Sequence, residues 1–157
     1  MIAPTWGTDF FHLNIHLTIK KNLNPSEYDI FIRPHYMSLL NNKNLISDLI
    51  KNNFQISKGK INFNQYDLLI TDWSGLYIEF AKINRIKSIL IETKDKILND
   101  KFHEYKDDSI DTFARNKLGK ILLTTQLDTI ESQVKDIILN RNDHAKKIDK
   151  FFDSYFY

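Results

Sequence analysis

The sequence contains no cysteine, no long apolar run and no large excess of either charge. Without cysteine the chain has no disulfide framework, no thiolate metal site and no thiol nucleophile. No apolar stretch approaches the roughly 18 uninterrupted residues that cross a bilayer, and the first residues lack the charged and apolar regions of a signal peptide. These absences predict a protein that folds in water, and we expect a cytoplasmic location.

Charge and composition are those of an ordinary globular domain. Lys and Arg total 22 against 20 Asp and Glu, and this net charge of +2 is far from the strongly basic balance of a dedicated nucleic-acid binder. Hydrophobic residues make up 42% of the 157 residues, and 11 Phe and 7 Tyr supply large apolar side chains for a core. No repeat or low-complexity linker divides the chain. Residues 1–157 are therefore predicted to form one domain, with no nucleic-acid partner.

Short continuous apolar runs indicate a parallel β-sheet. Each run is uniformly apolar rather than alternating, which is typical of strands buried on both faces. Four runs qualify, with Met1-Ile2 as a fifth candidate: residues 30–32, 68–70, 89–91 and 121–123. Helix-length segments separate them, and strands that alternate with helices form right-handed parallel crossovers. The predicted class is α/β, an open parallel sheet with helices on both faces.

Helical periodicity is clear in four of the other segments. Their apolar residues gather on one side of a helix. The segments are residues 38–54, 74–83, 110–118 and 148–155. Asp108 or Ser109 is expected to cap the third of these helices, and Gly119 is expected to end it.

Two further segments give weaker helix signals. Residues 125–128 have the pattern of a capping box, and the helix that follows is expected to turn Ile137 and Ile138 inward. Residues 11–19 alternate strictly between apolar and polar, which by pattern alone favours a strand. We nevertheless predict a helix there, because a parallel crossover must join Ile2 to the run at 30–32.

The stretch LLITDWSGLYIEF at 68–80 has the character of a binding loop, because an apolar run ends in small, hydrogen-bonding residues before a helical pattern begins. In an open parallel sheet, ligands bind beyond the carboxyl ends of the strands. Ser74 and Gly75 stand in the first helical turn, where unpaired backbone N–H groups and the helix dipole favour an anion. Glu79, about one turn further, can accept hydrogen bonds from vicinal hydroxyls. A nucleotide diphosphate site fits this pattern, and a plain helix cap made by Asp72 or Ser74 fits it equally.

A second strand-end loop carries a cation and an imidazole. The tripeptide Arg-Pro-His follows the run 30–32, which places Arg33 and His35 at the same edge of the sheet. A histidine near phosphate oxygens stabilises developing charge or protonates a leaving group, whereas a lone surface histidine does neither. His12 and His16 are one helical turn apart, but no third ligand follows at a recognised spacing. We predict a solvent-facing histidine pair and no metal site.

Three motifs in register resemble one known family. They are APTWG at 3–7, YDIFIRPH at 28–35 and DLLITDWSGLYIEFA at 67–81. In this order and at roughly these intervals, they resemble the C-terminal part of the CDP-glycerol glycerophosphotransferase family, whose members prime or extend teichoic-acid-type polymers and related surface glycans. The resemblance implies a GT-B architecture of two Rossmann-like halves facing a cleft. This chain would be the C-terminal, donor-binding half, and a missing N-terminal half would supply most acceptor contacts.

The resemblance also implies roles for individual residues. Ser74 and Gly75 would hold the donor pyrophosphate, and Glu79 would bind ribose. His35 would be the catalytic residue, in contact with the transferred phosphoryl group or the leaving nucleotide. The whole set implied in donor or phosphate binding is Thr5, Trp6, Arg33, Asp72, Ser74, Gly75 and Glu79.

The implied reaction is attack by an acceptor hydroxyl on the β-phosphorus of CDP-glycerol, or of a related CDP-alditol, with release of CMP. The implied partners are this nucleotide donor, a glycan or lipid-linked acceptor and the missing N-terminal half, which would also supply the general base. No cofactor is implied. Because such acceptors are lipid-linked, the implied location is cytoplasmic, peripheral at the inner face of the cell membrane.

Two departures leave the donor open. Family members often have a second Pro after the His and an Arg near the Trp, where this chain has Tyr36 and Gly7. The alternatives are a GT-B glycosyltransferase or UDP-N-acetylglucosamine 2-epimerase-like domain that uses a UDP-sugar, and a non-catalytic nucleotide-binding module. Fold alone does not choose among them.

Overall fold

The computed structural model describes residues 1–7, 9–93 and 110–156. Within these ranges the fold is mixed α/β, and the strands pair in parallel. The strands are β1 Phe31–Ile32, β2 Gln55–Ile56, β3 Ile70–Thr71, β4 Ser88–Glu92 and β5 Gly119–Leu123. The helices are α1 Ile15–Lys21, α2 Tyr36–Asn41, α3 Leu45–Lys51, α4 Leu76–Asn84, α5 Ile110–Leu118, α6 Ile130–Leu139 and α7 Arg141–Phe156, with 3₁₀ turns at Phe63–Gln65 and Thr124–Thr129.

Ile2 joins two small parallel sheets. One sheet contains β1 and β2, and the other contains β3, β4 and β5. Ile2 forms parallel bridges to Ile32 on one side and to Ile70 on the other. Its amide donates to the carbonyl of Phe31 at 2.7 Å, and its carbonyl accepts from the amide of Arg33 at 2.8 Å. The strands are therefore arranged across the molecule as β2, β1, Ile2, β3, β4 and β5.

The direction of this arrangement reverses at Ile2. If Ile2 is counted as the first strand position, the spatial order in chain numbering is 3-2-1-4-5-6. After Ile2, the chain adds β1 and then β2 on one side of Ile2. It then crosses to the other side and adds β3, β4 and β5 in turn. The loops that follow Ile2 and β3 leave the carboxyl edge of the sheet side by side, at the position where the strand order reverses.

The helices pack in groups against one another and against the sheet. Helix α1 contacts the turn Thr124–Thr129, whereas α4, α5 and α7 contact one another. In α4 the buried residues are Tyr77, Phe80 and Ala81, at the i, i+3 and i+4 spacing that puts them on one side. Full burial of an aromatic side chain such as that of Phe80 contributes about 2 to 3 kcal/mol.

In the described part of the chain, no helix combines the length and the apolar character needed to span a bilayer.

The predicted α/β class and most of the predicted strands are confirmed. Strands β1, β4 and β5 contain most or all of the runs at 30–32, 89–91 and 121–123, and Ile2 occupies a strand position. The run at 68–70 overlaps β3 only at Ile70, because the ladder with β4 pairs Ile70 with Ile89 and Thr71 with Leu90. Strand β3 and residues 88–91 of β4 are buried on both faces, as a continuous apolar run indicates, whereas the edge strand β5 exposes Lys120 and Leu123.

The predicted helix over residues 38–54 is wrong as a single element. The chain forms α2 and α3 with a break at residues 42–44, where the side chain of Asn42 accepts a hydrogen bond from the amide of Asn44 at 3.1 Å. Asparagine side chains compete with helical backbone bonds in this way. Directly after the segment the chain forms β2, which was not predicted because Gln55–Ile56 has no continuous apolar run around it.

One predicted helix boundary is confirmed and a second needs correction. Helix α5 ends at Leu118, directly before Gly119 as predicted, and Gly119 also opens β5. A helical segment opens here as predicted, but its cap is displaced from 125–128: the side chain of Gln126 accepts from the amide of Leu123 at 3.2 Å. The segment begins as the 3₁₀ turn Thr124–Thr129 and continues as α6 from Ile130. Ile138 is exposed rather than inward. The predicted cap at Asp108 or Ser109 lies outside the described residues.

The helix predicted between Ile2 and the run at 30–32 exists, but it is shorter than the alternating segment. Helix α1 buries Ile15, His16 and Ile19, which is a helical spacing. Leu13 precedes the helix and is exposed. The alternation in the sequence therefore does not correspond to a strand, because the crossover topology decides the conformation.

Candidate functional site

The predicted loops meet at the carboxyl edge of the sheet. The loop after Ile2 contains Thr5 and Trp6, the loop after β1 contains His35, and the loop after β3 contains residues 72–75. Parallel strands end at the same edge, so these loops emerge on the same side of the sheet. Ile2 lies between β1 and β3, which makes its own loop the neighbour of both others.

Two hydrogen bonds hold the loops after Ile2 and β3 together. The amide of Thr5 donates to Oδ1 of Asp72 at 2.7 Å, and Oγ1 of Thr71 donates to the carbonyl of Ala3 at 2.6 Å. Thr71 and Asp72 are fully buried. Asp72 was predicted among the donor-binding residues, and in the structure one of its carboxylate oxygens binds the neighbouring loop.

The start of α4 is open to approach. Oγ of Ser74 accepts from the amide of Leu76 at a long 3.4 Å, which is a weak capping contact. Gly75 is exposed, and its side chain position faces empty space, with no heavy atom within 4 Å of an added Cβ. Its φ of −61° suits any residue, so the fold itself does not require glycine there. A ligand that approaches the backbone would require it.

Glu79 lies in the first turn of α4 and is exposed. Its carboxylate is one helical turn from Gly75, as the sequence predicted. Like charges disfavour direct contact between this carboxylate and a phosphate, whereas vicinal hydroxyls would donate to it. The position therefore suits the neutral part of a nucleotide rather than its diphosphate.

His35 lies beside Trp6. The two ring centroids are 6.3 Å apart with the planes tilted by 32°. His35 is the N-cap of α2, and its Nδ1 accepts from the amide of Met37 at 3.1 Å. With Nδ1 used as an acceptor, the neutral ring carries its proton on Nε2, which is available to donate to a phosphoryl oxygen.

Arg33 does not join the cluster formed by His35 and Trp6. Its Nη2 donates to the carbonyl of Gly59 at 2.7 Å, which ties the end of β1 to the loop after β2. Its guanidinium is thus held on the β2 side of the sheet, whereas residues 72–75 follow β3 on the other side of Ile2. The hydrogen bond of Arg33 to Gly59 therefore positions the loop after β2.

Arg115 is a site residue that sequence reasoning missed. Its side chain is buried; Nη1 donates to the carbonyl of Asp72 at 2.8 Å, and Nη2 donates to Oε2 of Glu92 at 3.0 Å. Its guanidinium lies 3.9 Å from the centroid of the Trp73 ring, and Nε1 of Trp73 donates to the carbonyl of Thr93 at 3.2 Å. A buried cation therefore holds the backbone at Asp72 and the ring of Trp73, and so stabilises the loop at residues 72–75. The signal in the sequence was an arginine directly after Ala114 on the apolar side of a predicted helix.

The predicted solvent-facing histidine pair is wrong. His12 is exposed, but His16 is buried between Phe11 and Phe54, with ring centroids 5.0 and 5.7 Å away. Burial lowers the pKa of His16 below its usual range, and a hydrogen bond with the backbone of Phe10 opposes part of this effect. No group of three or more potential metal ligands lies among the residues that the structure describes.

Comparisons with known proteins do not identify a family for this chain. A scan against protein-family models, a search of curated proteins and a search of solved structures each found no significant match to this chain.

Proposed function

We propose that this chain is the donor-nucleotide-binding half of a GT-B glycerophosphotransferase. In this proposal it binds CDP-glycerol, or a related CDP-alditol, for transfer of the alditol phosphate to a surface glycan or teichoic-acid-type acceptor. The observation that carries the proposal is the link from His35 through Trp6 and Thr5 to Asp72. Through it, three motifs that are far apart in the sequence lie next to one another at the carboxyl edge of the sheet beside Ile2.

The strand order supports a Rossmann-like assignment. The order 3-2-1-4-5-6 is the one in which doubly wound sheets bind dinucleotides, at the position where the order reverses. Here that position lies between Ile2 and β3. Two of the three resemblance motifs lie in the loops that flank it, and the loop with His35 follows β1, the next strand along.

The start of α4 suits the donor pyrophosphate. Gly75 leaves room for phosphate oxygens near the first backbone N–H groups of the helix. The dipole of the nine-residue helix favours negative charge there. Arg115 donates to the carbonyl of Asp72, just before this turn, and adds a positive charge that its ion pair with Glu92 partly neutralises. Glu79 would then receive ribose hydroxyls rather than phosphate.

The proposed chemistry is a phosphoryl transfer. An acceptor hydroxyl oxygen forms a bond to the β-phosphorus, and the bond from that phosphorus to the bridging oxygen breaks, so that CMP leaves with the bonding electrons. Nε2–H of His35 would donate to an oxygen of the transferred group and stabilise its charge. The acceptor proton passes to a general base, which we assign to a second domain together with the acceptor contacts.

Calorimetric titration with a nucleotide panel tests the proposal. The panel is CDP-glycerol, CDP, CMP and UDP-N-acetylglucosamine. We expect the CDP compounds to bind with millimolar or tighter affinity and CDP-glycerol to be preferred over the UDP-sugar. A preference for the UDP-sugar would instead support the glycosyltransferase or epimerase-like alternative, and no binding of any compound would favour a non-catalytic module.

Turnover provides a second readout for the same proposal. We expect no CMP release from CDP-glycerol by this chain alone, even with an acceptor glycan, because the general base is assigned to the second domain. CMP release that depends on the acceptor would refute that assignment. It would not affect the assignment of the donor site.

A further inference from the structure

A second concave surface lies beside the candidate site, between the loop after Ile2 and helices α1, α2 and α3. It encloses about 630 Å³, a volume within the roughly 300 to 1,000 Å³ of small-molecule sites. We call it the amide groove, because Asn14, Asn41, Asn42 and Asn52 line it together with Ser38. It meets the candidate site where Gly7 follows Trp6 in the chain.

The lining of the amide groove matches the chemistry of hydroxyl groups. A hydroxyl both donates and accepts, and so does a primary amide. Oδ1 of Asn42 accepts from the amide of Asn44, and Nδ2 of Asn52 donates to the carbonyl of Asp48, so two of the groove amides have fixed orientations. The amide nitrogen of Asn42 and the amide oxygen of Asn52 stay available to a ligand.

The charge of the groove disfavours anions. Among the described residues that line it, Asp48 is the one carboxylate and neither Lys nor Arg is present. The Asp48 side chain is about half exposed and lies 3.8 Å from Nζ of Lys51, so water and a nearby cation screen it. A phosphate placed in the groove would meet no fixed cation. The groove therefore differs from the start of α4, where the helix dipole and Arg115 favour negative charge.

His16 supplies an independent indication of a ligand. Its side chain lines the groove, yet it is 6% exposed and its Nδ1 is buried without a hydrogen-bond partner. Burial lowers the pKa of His16 and so favours the neutral imidazole, in which one ring nitrogen is an acceptor. The unpartnered Nδ1 can take that acceptor role. A buried acceptor without a donor destabilises the folded state, because it has lost its hydrogen bond to water without gaining another. A ligand hydroxyl can supply that donor.

From this lining we infer that the amide groove binds a neutral polyhydroxylated ligand, a sugar or an alditol. Its hydroxyls exchange hydrogen bonds with the groove asparagines and donate to His16. The ring of Phe11, 5.0 Å from that of His16, offers an apolar surface for the C–H groups of the ligand. The inference does not depend on the proposed function, since it uses none of the residues assigned to the nucleotide.

Titration followed by two-dimensional NMR tests the inference. The probes are ribitol and methyl α-glucopyranoside, with inorganic phosphate as the anionic comparison, added to the whole chain. We expect saturable, millimolar binding of at least one neutral probe that shifts the side-chain amide signals of Asn41 and Asn52. The Nδ1 resonance of His16 should move in the direction of a hydrogen-bonded acceptor. Phosphate should leave these signals unchanged.

Matched variants distinguish specific binding in the amide groove from a general effect of the probe on the solvent. Asn41→Ala removes an exposed amide at the last residue of α2, and we expect at least threefold weaker binding of the neutral probe. Asn64→Ala removes an exposed amide from the turn Phe63–Gln65 and should leave binding unchanged. Shifts that grow linearly without saturation, equal weakening by both variants, or preferential binding of phosphate at these residues would each overturn the inference.

Discussion

The guanidinium of Arg115 lies 3.9 Å from the centroid of the Trp73 ring, in the interior of the protein directly beneath the loop that precedes α4. The same guanidinium donates to the carbonyl of Asp72 and to the carboxylate of Glu92. One buried side chain thus holds the backbone, the aromatic ring and a strand end in fixed positions. The conformation of residues 72–75 therefore depends on a residue that lies 40 positions or more away in the sequence.

Replacing Arg115 should destabilise the fold markedly. Arg115→Met keeps much of the apolar stem but removes both hydrogen bonds, and it leaves the carboxylate of Glu92 and the carbonyl of Asp72 without this partner. Breaking one side of a buried ion pair costs about 3 to 5 kcal/mol; Glu92 is partly exposed, so we expect about 2 to 3 kcal/mol from urea denaturation. The indole fluorescence of Trp73 should change in the folded variant.

Arg85 offers the matched control. It pairs with Asp149 at the surface, where both side chains are substantially exposed. Exposed ion pairs contribute about 0 to 1 kcal/mol. We expect Arg85→Met to cost less than 1 kcal/mol. Equal losses for the two variants would mean that Arg115 has no special structural importance.

Glycine substitutions should distinguish ligand binding from folding. Gly75→Ala meets only open space, so we expect the free energy of unfolding to change by less than about 0.5 kcal/mol. Binding of CDP compounds should weaken at least tenfold, because the added methyl group occupies the space assigned to phosphate. Gly119→Ala is the contrasting variant: its Cβ would lie 2.3 Å from Cδ1 of buried Leu90, and we expect a loss of about 1 to 3 kcal/mol. Unchanged affinity in Gly75→Ala would exclude phosphate from this position.

Two substitutions of His35 separate its capping role from its proposed chemical role. His35→Ala loses the bond from the Met37 amide to Nδ1, so α2 should lose about 1 kcal/mol. His35→Asn restores a good N-cap but not the imidazole. In the two-domain enzyme that the proposal requires, both variants should lower the turnover rate more than they weaken donor binding. If Asn restores the rate, His35 is a structural cap and not a catalytic residue.

The free energy of unfolding should decrease as the pH falls, and part of this decrease should depend on His16. Burial lowers its pKa in the folded state below the ordinary value of 6.5. Below pH 6.5 the unfolded chain binds a proton that the folded chain does not, so stability is fully present above this pH and decreases as pH falls toward the lowered pKa. The slope from this residue is at most about 1.4 kcal/mol per pH unit. Urea denaturation of the wild type and of His16→Leu between pH 5 and 7.5 should show a smaller slope in the variant. Identical slopes would contradict the burial of this imidazole.

The class of the fold follows from local patterns, and its finer elements do not. Continuous apolar runs identify β1, β4 and β5, and the reason is clearest in β4, which is buried on both faces and so needs apolar side chains in both directions. Strand β2 lacks this signal, since Gln55 is exposed and the strand is at the sheet edge. The break between α2 and α3 depends on side-chain competition at Asn42, which apolar periodicity does not record.

The candidate site was predictable only in part, for a related reason. The positions of Ser74, Gly75 and His35 follow from the rule that loops leave one edge of a parallel sheet. The contacts of Arg115 and of Arg33 do not follow from it, because both depend on which distant loop lies within reach of a long side chain. The burial of His16 likewise depends on Phe54, which belongs to a different crossover.

The most direct test of the central claim is an amide and imidazole NMR map of this chain during titration with CDP-glycerol. The account predicts that the backbone amides of Gly75 and Leu76 and the ring of His35 shift together and saturate with a single dissociation constant. It also predicts that Gly75→Ala weakens all of these changes equally. Saturable shifts that include only one of these positions, or that map to the amino edge of the sheet, would contradict it.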